Sequence, residues 1–99
     1  MTIETRSIAI INRKGLHARA SAKLAKLALE LPAIVTVSFE GESADARSIM
    51  DLLCLGAGIG TSVSLSAEGT GAQSALDVVE ALFADGFGEL AEDAACACK

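Results

Sequence analysis

Tryptophan and tyrosine are missing from this 99-residue chain, and three phenylalanines are its only aromatic side chains. The core must therefore be packed from Ala, Val, Ile and Leu, and there is little aromatic surface on which bases could stack. Positive charge is also scarce, with 8 Lys and Arg against 13 Asp and Glu and a net charge of −5. A chain that lacks both a global positive potential and stacking platforms is not expected to bind nucleic acid. No apolar run approaches the roughly 18 residues that cross a bilayer, and residues 1–6 show no secretory pattern. No membrane role is expected, and the cytoplasm is the expected compartment. The three cysteines are an odd number without framework spacing, which suits a reducing environment. Cys54 lies in an apolar run and is expected to be a small core residue. Cys96 and Cys98 are too few for a closed metal site, so no metal and no cofactor is expected.

What is present describes one packed domain: 52% hydrophobic and 21% charged residues, with a mean hydropathy of +0.47. The charge is uneven. Residues 1–26 hold six bases (Arg6, Arg13, Lys14, Arg19, Lys23, Lys26) and one acid, whereas residues 27–99 hold two bases and twelve acids. One end of the chain can thus hold an anion that the remainder repels.

The hydrophobic pattern sets the expected elements. Ile8-Ala9-Ile10-Ile11 reads as a strand, and Arg13-Lys14-Gly15 as a turn. Leu24, Leu27, Ala28 and Leu31 fall on one helical stripe, which predicts a helix over residues 17–31 that ends before Pro32. Val35, Val37 and Phe39 alternate with Thr36 and Ser38, so residues 34–39 form a half-buried strand that pairs as a hairpin with a short strand at Ser43-Ala44. Ser48 is a helix N-cap type ahead of a short helix from Ile49 to Leu55, with Gly56 to end it. In that helix Ile49, Met50 and Leu53 are expected outside, Leu52 and Leu55 inside. Residues 62–67 alternate again, and Ala75, Leu76, Val79, Leu82 and Phe83 mark a third helix. Residues 1–88 form the expected domain and residues 89–99 a flexible tail. Strand, helix, strand, strand, helix, strand, helix is an α+β order, solved by one antiparallel sheet with helices on one face.

His17 is the only histidine and stands where a turn becomes a helix. Backbone N–H groups at a helix start lack intrahelical partners, and the dipole adds about half a positive charge there. Arg19 contributes a full charge and a planar donor fork, with Lys14 and Lys23 close in sequence. These residues describe an anion site around a nucleophilic imidazole. The plainer alternative is a histidine that merely caps the helix or lies on the surface. A third alternative is a small anion- or metal-binding module built on His17 and the tail cysteines.

Gly15-Leu16-His17-Ala18-Arg19-Ala20-Ser21-Ala22 resembles the phosphorylation-site motif of the HPr family, the histidine phosphocarriers of the bacterial phosphotransferase system. Arg47-Ser48-Ile49-Met50-Asp51-Leu52-Leu53 resembles the family's regulatory-serine helix, and Gly60-Thr61 through Ala67-Glu68-Gly69 its last strand and turn. Residues 81–87 resemble the end of the nitrogen-related branch, and the Ala20-Ser21 pair resembles proteobacterial members. The resemblance spans residues 3–88 and implies an open-faced β-sandwich, a four-stranded antiparallel sheet of order 1-4-2-3 with three helices on one side. It implies a phosphoryl carrier, not a stand-alone enzyme. Enzyme I would phosphorylate His17 on Nδ1, with Ala18, Arg19 and Ala20 holding the phosphate, and His17 would pass the group to a nitrogen- or mannose-type enzyme IIA. It also implies a regulatory phosphoserine at Ser48, made by an HPr kinase/phosphorylase. Arg19, Lys23, Lys26, Ile49, Met50 and Leu53 would form the partner surface of a monomer. A regulator of the nitrogen-related type, which transports no sugar, is the alternative role. Ala20 departs from the proline usual in the family, restoring a backbone donor and loosening the first helical turn.

Overall fold

Period-two alternation builds the sheet. A computed structural model describes residues 3–89, with strands β1 (Ile3–Ala9), β2 (Ile34–Phe39), β3 (Glu42–Asp45) and β4 (Ser62–Glu68). β1 pairs antiparallel with β4, β4 with β2 and β2 with β3, giving the order β1-β4-β2-β3. Val37 lies opposite Leu65 on one side and Ala44 on the other. Together with Val35, Val63 and Ala67, these residues are buried. Ser and Thr alternate onto the opposite face, where Ser38 meets both Ser43 and Ser64.

Three helices supply the second layer: α1 (Ala18–Leu29), α2 (Ile49–Leu55) and α3 (Ala72–Ala84). The architecture is the α+β open-faced sandwich expected from the sequence. α1 sends Ala20, Leu24, Ala25 and Ala28 inward, and α3 sends Ala75, Leu76, Val79 and Phe83. α2 starts where Ser48 accepts a hydrogen bond from the Asp51 amide at 3.3 Å and stops at Gly56, whose φ of +66° only glycine adopts readily.

Three expectations are corrected. The first strand runs from Ile3 to Ala9 rather than Ile8 to Ile11. As an edge strand it carries Glu4 and Arg6 on its half-buried face and Thr5 and Ser7 on its exposed one, and so lacks an apolar run. Ile10 is buried beyond its end, bonded through its own backbone to Thr61 and Gly60. α1 ends at Leu29, and the amides of Glu30 and Leu31 turn back in i→i−3 bonds to Leu27 and Ala28. Cys54 is exposed, because a seven-residue helix has room for only two inward positions, taken by Leu52 and Leu55.

Candidate functional site

Gly15 fixes the approach to His17. Its φ is +61°, and a Cβ there would lie 2.4 Å from the Ala57 carbonyl oxygen. That proximity lets the next residue, Leu16, donate its amide to the same oxygen at 3.0 Å. Asn12 closes the loop from inside: the Gly15 amide donates to its carbonyl at 3.1 Å, and its side-chain Nδ2 donates to the Gly15 carbonyl at 2.9 Å. His17 then occupies the N-cap of α1 with extended backbone, and its ring makes no capping hydrogen bond. The helix ladder begins with the Ser21 amide donating to the His17 carbonyl at 2.8 Å, so the amides of Ala18, Arg19 and Ala20 precede it.

The chain returns to this spot from its far end. After α3, a single 3-10 turn at Gly86–Gly88 sets Phe87 at φ +57° and buries its ring edge-on to Phe83, with centroids 4.8 Å apart. Lys23 reaches from α1 to donate to the Phe87 carbonyl at 2.6 Å. The turn delivers Glu89, whose side chain is 1% exposed. Its Oε2 lies 2.6 Å from His17 Nε2 and accepts from Arg19 Nε at 3.1 Å, while its Oε1 accepts from Asn12 Nδ2 at 3.0 Å. Burial pushes this carboxyl up, but the hydrogen bonds from Asn12, His17 and Arg19 outweigh it, and the net effect is a value below the usual carboxylate range.

Glu89, the first residue of the expected tail, is thus buried against the domain. The rest of the expected tail, with Cys96 and Cys98, lies outside the described residues. The surroundings of His17 are not purely basic either, because a carboxylate touches the ring. Sequence reasoning missed both Asn12 and Glu89. The available signal was Phe87 between two glycines, an aromatic in a tight turn that can pin the chain end to the core.

Among the sequence-predicted residues, Arg19 joins His17 through Glu89, and Lys23 braces the turn that carries Glu89. Lys26 is exposed in the last turn of α1. Ile49 and Met50 are exposed on α2, with Leu53 half-buried. Arg47 is held by Asp45 in a bidentate pair at 2.8–3.0 Å, and the paired guanidinium lowers the Asp45 carboxyl. Among the described residues, no group of three or more His, Cys, Asp or Glu could hold a metal ion, and no helix is long and apolar enough to cross a membrane.

The family model described as "PTS HPr component phosphorylation site" matches residues 4–85. This chain belongs to the HPr family of phosphotransferase-system phosphocarriers. It is a carrier, not a catalyst. The HPr of Cupriavidus necator is 49% identical over 84 residues, covering 85% of this chain and 94% of that one. The phosphocarrier protein NPr of Shewanella violacea is 42% identical, with 90% and 98% covered. A crystal structure of HPr from Thermoanaerobacter tengcongensis superposes with a TM-score of 0.83 at 34% identity, over 87% of this chain and 97% of that one.

Proposed function

We propose that His17 accepts a phosphoryl group on Nδ1 from phospho-enzyme I, itself charged by phosphoenolpyruvate, and passes it to a histidine of an enzyme IIA. As the Nδ1–P bond forms, the donor's N–P bond breaks and the donor imidazole recovers its electron pair. The chief support is the imidazole itself. It stands at a helix N-cap without capping the helix, its side chain is 24% exposed, and Nε2 is already engaged. Nδ1 is the remaining nucleophile. The amides of Ala18, Arg19 and Ala20 and the Arg19 guanidinium then receive the phosphoryl oxygens, favoured by the helix dipole. Ile49, Met50 and the partly exposed Leu53 supply an apolar docking patch, with Arg19, Lys23 and Lys26 as its basic rim. A carrier must release each partner, which calls for an interface below about 1,200 Å². The protein acts as a monomer in the cytoplasm. Incubation with enzyme I and phosphoenolpyruvate should give an acid-labile phosphorylation that maps to His17; labelling elsewhere, or none, overturns this assignment.

Ser48 is the regulatory site for an HPr kinase/phosphorylase. Its hydroxyl caps α2 at the edge of the docking patch, where a phosphate suits the helix start yet opposes acidic partners. Ser48→Asp should slow phosphorylation by enzyme I about tenfold, roughly 1.4 kcal/mol of lost complementarity. An unchanged rate would remove this role.

A second reading, a nitrogen-related regulator that moves no sugar, is favoured by the similarity to an NPr. Preferential transfer to a nitrogen-type rather than a mannose-type enzyme IIA would select it.

A further inference from the structure

We propose that Asn12 and Glu89 are positioning residues for His17: Asn12 holds the Glu89 carboxylate, and the carboxylate keeps the imidazole proton on Nε2 through the whole transfer cycle. This rests on the phosphoryl-carrier role of His17 proposed above.

The hydrogen-bond roles follow from the groups. An ionised carboxylate has no proton to give, so in the 2.6 Å contact the ring must donate from Nε2. In the neutral ring Nδ1 then keeps its lone pair, directed outward from this bond. The Asn12 amide orientation is also determined. Its Nδ2 faces two acceptors, the Gly15 carbonyl and Glu89 Oε1; a flipped amide would set an oxygen against both. Glu89 is almost wholly buried, so water competes little with these bonds. The arrangement follows the logic of a carboxylate that orients a reactive histidine, itself held by a further group.

The carboxylate has a second effect. A neutral ring that gains a phosphoryl group at Nδ1 and keeps Nε2–H becomes cationic, and that charge develops one hydrogen bond from Glu89. When the acceptor imidazole attacks phosphorus, the Nδ1–P bond breaks, its electron pair returns to Nδ1, and the ring is neutral again with the same proton in place. Glu89 therefore favours the protonated phospho-ring, in which His17 is the better leaving group. Other charged groups surround the ring's neighbourhood. Arg19 shares Glu89 Oε2, the Lys23 ammonium lies on the Phe87 carbonyl, Asp85 stands by Gly88, and Arg13 and Lys14 occupy the preceding loop. Arg19 and Lys23 oppose a ring cation and Asp85 favours it at longer range, so the direct bond from Glu89 decides the sign.

The test is nitrogen-15 NMR on the full chain labelled at histidine. The unphosphorylated protein above neutral pH should show the ring protonated on Nε2; the Nδ1-protonated tautomer overturns the proposal without any variant. In the phosphorylated protein, Glu89→Gln should lower the titration midpoint of the phospho-ring by about one pH unit or more. Asn12→Ala should move it in the same direction by less. A Glu89→Gln midpoint coinciding with that of the parent also overturns it. Failure to phosphorylate His17 in the parent chain would instead sink the carrier assignment, while the tautomer measurement still tests the positioning role.

Discussion

Gly15→Ala is expected to lose about 2–5 kcal/mol of folding stability and most of the protein's capacity to accept phosphate from enzyme I. Two separate costs combine. At φ +61° a Cβ faces the steric penalty of the left-handed region, roughly 1–2 kcal/mol. The new methyl would also lie 2.4 Å from the Ala57 carbonyl oxygen and 2.7 Å from the Gly58 Cα, both backbone atoms with no rotamer to yield. Overpacking of this kind typically costs about 1–3 kcal/mol. Relief requires the 12–15 loop to retreat from residues 57–58, which breaks the Leu16 amide bond to Ala57 and displaces His17 at the head of α1. Gly41 separates the two costs, since its φ is +85° but nothing lies within 4 Å of a Cβ there. Gly41→Ala should therefore lose only the backbone share, about 1–2 kcal/mol. Urea unfolding with an unchanged slope measures both. Equal losses in the two variants would show that the Gly15–Ala57 approach carries no packing cost.

Elements defined by local chemistry were legible from the chain alone. β2 begins and ends at Ile34 and Phe39 because strict alternation stops there, and α2 at Ile49 and Leu55 because a serine cap and a glycine flank it. The position of His17 and Arg19 at the head of α1 was legible because a turn, a glycine and a change of period converge on them. β1 was misplaced because its partner defines it: residues 3–9 form a strand through their ladder to β4, with little apolar content of their own. Cys54 was misplaced because apolar character fixes the number of inward positions on a short helix less firmly than geometry does. Glu89 could not be recognised from its neighbours, since an acid near a chain end normally seeks water. What buries it are donors 70 to 77 residues earlier, on Arg19, His17 and Asn12. Local rules therefore placed His17 at the head of its helix, while the carboxylate beside its ring emerged only from tertiary structure.

Phe87→Ala is expected to cost about 3–5 kcal/mol, the range for emptying a fully buried phenylalanine site. That is a large share of the 5–15 kcal/mol typical of a domain. The ring is 1% exposed and meets Phe83 at a 62° interplanar angle, an edge-to-face contact that contributes beyond area burial. The loss extends to the site, because the same residue's carbonyl receives Lys23 and its turn places Glu89 two residues on. Without the ring as anchor, the Glu89 amide bond to the Gly86 carbonyl, 3.0 Å long, should lose its protection against hydrogen exchange. Phe87→Gly sharpens the reading. Phe87 sits at φ +57°, so glycine removes the ring but also relieves the left-handed backbone. The glycine variant should be about 1 kcal/mol more stable than the alanine variant if the turn persists, and no more stable if the turn unravels once its anchor is gone. In either case both variants should phosphorylate more slowly than the parent, because Glu89 reaches His17 only through this turn. A Phe87→Ala protein with parental stability and a protected Glu89 amide would show that the chain end is held by something other than the phenylalanine pair.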